Sequence, residues 1–306
     1  MIEKQERSRC ALVVGADSLV GGELLRAYAR AGSPAYGSTR RRDRLAENRL
    51  YLDLADPRLE AKLPADVEVV VLVAAMANYE VCETDPLAYE VNVHGSIRLA
   101  RQVWAQGRHL VFISTNTVFG GDRPFCNEDD SLSPGIAYAR HKADGEQGLK
   151  TVATEIDAAD RLTVVRLTKI MTARTPPLPD WLNRLEAGEV IQPFADMTFA
   201  PLSLGAVATG IKHIADSGRA GTFHLSGADN VSYFAFAREL ANRMGLPAER
   251  VVGTTSEACG VKLRFNPRFS AIGMQRTRNE LGLQPQPMTE VVSAVLEERR
   301  GETVSQ

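Results

Sequence analysis

A tyrosine and a lysine four residues apart are the pair in this sequence best suited to acid–base chemistry. Tyr138 and Lys142 stand in the stretch YARHK, inside a run with a helical pattern. Side chains four residues apart lie on one face of a helix, so both can reach the same cleft. A free tyrosine has a pKa of about 10, and a nearby ammonium group favours its ionised form. The pair therefore predicts a tyrosine that donates a proton to a carbonyl oxygen as hydride reaches the carbon.

Two hydroxyl side chains end an apolar run upstream of this pair. Ser114 and Thr115 close the stretch HLVFIST, which is typical of a strand buried on both faces. Ligands of parallel sheets bind at the carboxyl ends of the strands, where a hydroxyl can orient a substrate carbonyl. We expect Ser114 and Thr115 beside Tyr138, although the two residues could also simply end a strand.

The first apolar run leads into a turn that could hold the pyrophosphate of a dinucleotide. Gly15 and Gly21 lack a Cβ and would let backbone N–H groups and a helix N-terminus approach phosphate. Ser18 stands at the middle position of what would be a GxxGxxG motif, so an ordinary strand-to-helix turn is the alternative. The cofactor contacts expected from this turn are Gly15, Asp17, Ser18, Leu19, Val20 and Gly21.

The second predicted strand ends in arginines and not in an acid. Thr39, Arg40 and Arg41 follow the glycine turn at the distance where dinucleotide-binding proteins select their cofactor. An Asp or Glu there holds the ribose 2′-hydroxyl of NAD, whereas arginine accommodates the 2′-phosphate of NADP. The arginines predict NADP(H), with a solvated charge run as the alternative. Asp53, after the third strand, is expected near the adenine.

Strand-like and helical runs alternate through the first half, which predicts an α/β fold of the Rossmann type with a doubly wound parallel sheet. The composition changes at the prolines of residues 176–179, which we interpret as a loop or hinge. We expect an NADP-binding domain over 1–168, with return segments from about 200–226. Residues 169–306 are expected to form mainly a smaller C-terminal α/β substrate lobe.

Composition limits the possible partners and the compartment. The 306 residues carry a formal charge of −2, with 44% hydrophobic and 24% charged residues. That balance argues against nucleic acid or membrane surfaces as partners. The four cysteines form no CxxC pair and show no zinc spacing, so no metal is expected. Residues 1–9 are polar and lack the apolar core of a secretory signal, and we therefore expect a reduced cytoplasmic protein.

Several stretches together resemble the dTDP-4-dehydrorhamnose reductase family of extended short-chain dehydrogenase/reductases. These are FISTNTVFGG at 112–121, PFCNEDD at 124–130 and YARHKADGE at 138–146. The family typically reads FISTDYVFDG, PYxEDD and YGxSKxxGE there. The resemblance implies an NADPH-dependent reductase of a nucleotide-linked 4-keto sugar, with Thr115, Tyr138 and Lys142 as catalytic residues. Further cofactor contacts expected are Leu54, Ala74, Ala75, Asn92, Ser114 and Leu167, and the substrate contacts expected are Ala77, Thr115, Asn116 and Thr117. In the second lobe, Trp181 could stack on a nucleotide base and Arg264 could hold a diphosphate, with simple packing and a surface charge as the alternatives.

Some substrate-side positions depart from the family pattern. Asn116 and Thr117 replace an Asp-Tyr pair, Phe265 replaces a proline, Gly273 replaces an Asp and Ala77 replaces a threonine. These changes leave the sugar and the nucleotide open. The related 4,6-dehydratases carry an acid–base Asp-Glu pair after the catalytic threonine, which Asn116 and Thr117 cannot replace.

Two other functions remain open at this point. A sugar-nucleotide epimerase of the same superfamily would retain its cofactor, and the missing acid after strand two argues against an NAD-retaining enzyme. A non-catalytic NADP-binding regulatory subunit is the second alternative, and a homodimer is possible in either case.

Overall fold

A computed structural model describes residues 8–304, and its centre is one parallel sheet. The sheet has seven strands in the order β10-β6-β5-β4-β1-β2-β3, and each neighbouring pair is parallel. The strands are β1 (Ala11–Val14), β2 (Ala35–Thr39), β3 (Arg49–Tyr51), β4 (Val69–Leu72), β5 (His109–Thr115), β6 (Leu162–Leu167) and β10 (Gly221–Leu225). β1, β4, β5 and β6 are buried along their whole length, as their apolar runs predict.

Helices cover both faces of this sheet, so the fold is the doubly wound α/β class expected from the sequence. On one face, α1 (Leu19–Arg30) and α7 (Leu204–Ser217) pack on alternate strand residues such as Val13 and Val71. On the other, α4 (Ser96–Ala105) and α5 (Ala137–Glu155) pack on the intervening residues, including Leu12. Successive strand residues point to opposite faces, so one run of apolar residues serves both cores.

One long predicted helix is divided into shorter pieces. The pattern predicts a helix over residues 85–106, but the structure has α3 (Pro86–Tyr89), a π-helical segment (Glu90–Gly95) and then α4. A separate helix that the pattern does not predict, α2 (Tyr79–Thr84), precedes them. The wider π turn buries Asn92 beneath the edge of the sheet.

The remaining elements form a C-terminal lobe with its own apolar core. Its helices are α6 (Leu178–Glu186), α8 (Tyr233–Arg243) and α10 (Met288–Val304), and its short strands are β7 (Lys169–Met171), β8 (Thr198–Phe199), β9 (Pro201–Ser203) and β11 (Val231–Ser232). Helix α9 (Gln275–Leu281) instead packs against β10 and α7 of the sheet. The proline segment was expected to be a loop, but it opens α6, because proline is well suited to the first turn of a helix. Within residues 8–304, no helix has the length and hydropathy needed to cross a bilayer.

Candidate functional site

A cavity of about 720 Å³ opens at the carboxyl ends of β1, β4 and β5. Its lining combines the glycine turn, the end of β2 and the catalytic residues expected from the sequence. Those expected residues are Gly15, Asp17, Ser18, Leu19, Val20, Thr39, Arg40, Arg41, Asp53, Leu54, Ala74, Ala75, Ala77, Ser114, Thr115, Tyr138, Lys142 and Leu167. The fold thus brings residues from distant parts of the chain to one sheet edge, where such folds bind ligands.

The glycine turn requires glycine at two positions. Gly15 has φ of +96°, and a Cβ there would lie 2.7 Å from the backbone nitrogen of Ala74. At Gly21 a Cβ would lie 2.2 Å from the carbonyl oxygen of Gly15, so only glycine lets α1 start this close to β1. Gly21 therefore allows α1 to pack closely against the turn, and it is not among the described residues that line the cavity.

Ser18 explains why the middle glycine of the motif can be replaced. The residue is the N-cap of α1: its hydroxyl accepts from the Gly21 N–H at 3.0 Å and donates to the Gly15 carbonyl at 2.7 Å. These two bonds satisfy a free helix N–H and tie the turn together. A serine at this position therefore preserves the shape of the turn by hydrogen bonding.

An acid does lie at the end of β2, although it comes from the glycine turn. The Asp17 carboxylate accepts from the Thr39 hydroxyl at 2.5 Å and pairs with Arg49 at 2.8 Å and Arg44 at 3.5 Å. The hydrogen bond from Thr39 is the main reason that the pKa of Asp17 is lowered, and the arginines add to it. The expectation that β2 itself ends without an acid is correct. The tertiary fold nevertheless brings the ionised Asp17 from the glycine turn to the end of that strand.

The three expected catalytic residues meet in this cavity. Thr115 ends β5 and is buried, while Tyr138 and Lys142 lie one turn apart near the start of α5. The Thr115 hydroxyl lies 3.1 Å from that of Thr117 and also accepts from the Thr117 N–H at 3.2 Å. The ring of Tyr138 stacks on Tyr79, with centroids 5.8 Å apart and an interplanar angle of 28°. These contacts fix the threonine hydroxyl and the phenol ring, and both residues line the cavity.

Burial controls the ionisation of the tyrosine and lysine. Burial raises the pKa of Tyr138, with smaller contributions from Tyr79 and Cys82, so the net change is opposite to the lowering expected from Lys142. The Lys142 ammonium is itself deeply buried, 4.0 Å from the centroid of the Phe112 ring. Burial lowers the pKa of Lys142 to about 7, against the opposing effect of the Glu146 carboxylate. Tyr138 is therefore a protonated phenol near neutral pH.

Ser114 is the first member of a buried polar network. Its hydroxyl donates to Glu146 at 2.5 Å, and Arg166 forms an ion pair with the same carboxylate at 2.7 Å. Both charged side chains are at most 2% exposed. Arg166 also contacts His224 at 3.3 Å, and His224 contacts the Gly273 carbonyl at 2.6 Å. The network joins the catalytic strand to the loop before α9, and it keeps a buried charge paired.

His224 has a structural position in this network. Burial lowers its pKa to about 3, and Arg166 adds to the decrease. The imidazole is therefore neutral near neutral pH and bonds to both neighbours. Gly273, where the family has an aspartate, leaves no space for a side chain, because a Cβ would lie 2.6 Å from Oδ1 of Asn127.

Three residues that were expected to contact the ligands lie behind the residues that line the cavity. Asn92 accepts from the Met76 N–H and donates to the Met76 carbonyl, both at 2.8 Å, which holds the loop that carries Ala77. Asn116 donates to the Ser270 carbonyl at 2.9 Å and so joins the catalytic strand to the C-terminal lobe. Asn92, Asn116 and Thr117 are not among the described residues that line the cavity.

The two substrate candidates of the C-terminal lobe differ in their positions. Trp181 is 6% exposed in the core of the lobe, edge-to-face with Tyr233, so direct substrate contact by Trp181 is wrong. The reason is that α6 turns its apolar face into the core. Arg264 is more than half exposed and pairs with Glu80 of α2 at 3.7 Å, which brings it to the rim near Tyr79.

Some residues at the site were not anticipated. Tyr79 follows a run with no helical pattern, so its stacking on Tyr138 could not be seen before folding. Thr168 and Ile170 also line the cavity: Thr168 directly follows β6, and Ile170 lies in β7, which begins one residue later. Their position just beyond a buried parallel strand is a signal that could have found them.

Comparison with known families agrees with this arrangement. A family model described as the RmlD substrate binding domain matches residues 9–300. The chain belongs to this family. It is 30% identical to dTDP-4-dehydrorhamnose reductase of Streptomyces griseus over 290 residues, covering 90% of this chain and 88% of that protein. It is 28% identical to the probable low-salt glycan biosynthesis reductase Agl14 of Haloferax volcanii over 295 residues, covering 94% of this chain and 97% of that protein.

Solved structures of other proteins share the fold of this chain. The structure of dTDP-4-dehydrorhamnose reductase from Bacillus anthracis in complex with NADP has a TM-score of 0.77 to this chain at 20% identity. The match covers 95% of this chain and 100% of that one. The family resemblance of residues 112–121 and 138–146 and the predicted Rossmann fold are thus confirmed.

Proposed function

We propose that this protein is an NADP(H)-dependent reductase of a nucleotide-linked 4-keto sugar. The observation that carries the proposal is that Thr115, Tyr138 and Lys142 line the same cavity as the glycine turn and the arginines after β2. Membership in the RmlD family and the reductase relatives support the same activity.

The cavity fits a dinucleotide with an extra phosphate. Its volume of about 720 Å³ lies within the range of cofactor sites. Gly15 leaves free the space that a Cβ would fill beside Ala74, so backbone can approach a pyrophosphate closely. Arg40 and Arg41 line the same cavity at the end of β2, where their guanidinium groups can hold a 2′-phosphate.

The residues of the chain can carry out the proton side of a carbonyl reduction. Bound NADPH supplies the hydride. Tyr138 holds its proton because burial raises its pKa, and it can release that proton to the oxygen of a substrate carbonyl. Thr115 presents a hydroxyl at the end of β5 that can hydrogen-bond the same oxygen and orient it. Lys142, with a pKa of about 7, can bind or release a proton near neutral pH.

In this proposal, each of the two parts of the molecule binds a different ligand. The sheet edge of residues 1–168 binds the cofactor, and the C-terminal lobe binds the nucleotide of the substrate. Two contacts between the parts support the division: Asn116 bonds to Ser270, and Arg264 pairs with Glu80 of α2. A cleft between two lobes encloses a ligand well.

The test is an NADPH-oxidation assay against 4-keto sugars linked to dTDP, UDP and GDP. We expect stoichiometric NADPH consumption with at least one of them and the corresponding hydroxyl sugar as product. Sugar interconversion without net NADPH consumption would replace the proposal with an epimerase. Tight NADPH binding with no turnover of any sugar would favour a regulatory subunit.

A further inference from the structure

Lys169 lies between two residues that line the cofactor cavity, but its side chain faces the other way. Thr168 and Ile170 both contribute to the cavity lining, whereas Lys169 does not. Successive residues of an extended segment point to opposite sides, and Lys169 is the first residue of β7. Its backbone N–H is bonded to the Ala200 carbonyl at 3.2 Å, so this position in the chain is held firmly. The side chain therefore projects toward the C-terminal lobe.

The aromatic neighbours of Lys169 place its ammonium on the substrate side of the catalytic tyrosine. The Nζ atom lies 5.8 Å from the centroid of the Tyr233 ring, at the start of α8. Burial raises the pKa of Tyr79, and the charge of Lys169 acts against that increase, so the ammonium is within electrostatic reach of the phenol. Tyr79 in turn stacks on Tyr138 at 5.8 Å. Tyr79 therefore has both the Lys169 ammonium and the Tyr138 ring as neighbours.

This ammonium is exposed and carries no compensating charge. Among the residues that the structure describes, no carboxylate lies within ion-pair distance of Lys169, whereas Lys212 pairs with Asp216 and Arg264 with Glu80. A lysine ammonium is a compact charge with three donors, well suited to phosphate oxygens. An unpaired cation beside aromatic rings at a ligand cleft has the chemistry to recognise an anion.

We propose that Lys169 binds the diphosphate of the nucleotide-sugar substrate and so sets the distance between the nucleotide and the proton donor Tyr138. This inference rests on the proposed function for the identity of the ligand. A bound cofactor would place its phosphates at the glycine turn and Arg40, which line the cavity that Lys169 faces away from. Lys169 is therefore a specificity residue for the substrate alone, with Tyr79 filling the space between the diphosphate and Tyr138.

Calorimetric titration of the full chain, saturated with NADPH, tests this assignment without requiring turnover. The probes are dTDP and UDP, with thymidine and uridine as phosphate-free counterparts. Lys169→Ala should weaken binding of the preferred nucleoside diphosphate about tenfold, because one charge-assisted bond is lost. Lys169→Arg should recover part of that loss. Binding of the nucleosides and of NADPH should not change. Lys62→Ala, at an exposed lysine of the loop between β3 and β4, is the matched control.

The outcomes separate this inference from the proposed reductase activity. Equal binding of nucleoside diphosphate by wild type and Lys169→Ala overturns the role of Lys169 and leaves the reductase proposal intact. A loss of NADPH affinity in Lys169→Ala overturns it as well. If no 4-keto sugar is reduced but dTDP or UDP binding still depends on Lys169, the inference holds and the reaction is wrong. Wild-type protein that binds neither dTDP nor UDP overturns the inference, and the NADPH-oxidation assay, which includes GDP-linked sugars, then decides the reductase proposal separately.

Discussion

The Thr39 hydroxyl donates to the Asp17 carboxylate at 2.5 Å and so couples the end of β2 to the glycine turn. Arg49 pairs with the same carboxylate at 2.8 Å. The cofactor-selecting corner of the cavity therefore contains a fixed negative charge as well as Arg40 and Arg41. Selectivity between NADPH and NADH depends on the balance of these charges and not on the arginines alone.

Asp17→Asn should raise the preference for NADPH over NADH. The change removes a negative charge that repels the 2′-phosphate and that occupies Arg49. We expect about a fivefold increase in the ratio of the two affinities, because a partly exposed charge pair contributes at most about 1 kcal/mol. Fluorescence titration with both cofactors measures it. The control is Asp43→Asn, because Asp43 is an acid that shortly follows β2 and does not line the cavity. An unchanged ratio would mean that Asp17 only shapes the turn.

Joint replacement of Arg40 and Arg41 by alanine should weaken NADPH and leave NADH nearly unaffected. Only NADPH carries the phosphate that these guanidinium groups can hold, and one such bond is worth about tenfold in affinity. The same titration gives both dissociation constants. Arg42→Ala is a suitable control, since the Arg42 guanidinium lies 4.3 Å from the Tyr51 ring centroid and does not line the cavity. Equal loss of both cofactors would reject the phosphate assignment.

Tyr138→Phe should lower kcat by about 10²- to 10⁴-fold while leaving the fold and NADPH binding unchanged. The phenylalanine keeps the ring that stacks on Tyr79 and removes only the acidic hydroxyl. Steady-state kinetics and an NADPH titration measure the two effects. Tyr36→Phe removes a hydroxyl remote from the cavity, bonded to Asp66, and serves as the control. A kcat near that of wild type would exclude Tyr138 as the proton donor.

Lys142→Met should stabilise the apo protein, and more so at low pH. The pKa of Lys142 is about 7 when folded against 10.5 when free, so below pH 7 folding must bury a full charge. This cost disappears as the pH rises toward 10.5, because the unfolded chain then loses the proton too. We expect the gain to be larger at about pH 6 than at about pH 9 by more than about 1 kcal/mol. Calorimetric unfolding of Lys142→Met and the exposed control Lys150→Met measures it. Equal gains at both pH values would contradict the prediction.

Trp181→Ala should act on stability and not on substrate binding. The indole is buried in the core of the C-terminal lobe against Tyr233, so its removal should cost about 3–5 kcal/mol. Urea unfolding measures the loss, and Trp181→Phe should lose less because it leaves a smaller cavity. A stable Trp181→Ala protein with a raised KM would restore the substrate role expected from the sequence.

In contrast, Arg264→Ala should raise substrate KM with little change in stability, because the side chain is exposed.

Much of the fold could be predicted because its signals are local. The apolar run HLVFIST agrees with β5 residue for residue, since burial on both faces requires a continuous apolar run. The glycine turn and the spacing of Tyr138 and Lys142 likewise placed two parts of the cavity lining. Where several signals competed, prediction was poorer: the proline segment opens helix α6, and the helix of residues 85–106 contains a π turn.

The amino-acid sequence alone determined the sheet, the glycine turn and the catalytic pair, because each depends on residues within one strand or one helical turn. Tertiary structure alone decided the surroundings of these groups. It brought Asp17 to Thr39, stacked Tyr79 on Tyr138 and turned Lys169 toward Tyr233. It also made burial raise the pKa of Tyr138. Charge, desolvation and stacking depend on how closely separate segments approach, and that distance is set only when the whole chain packs.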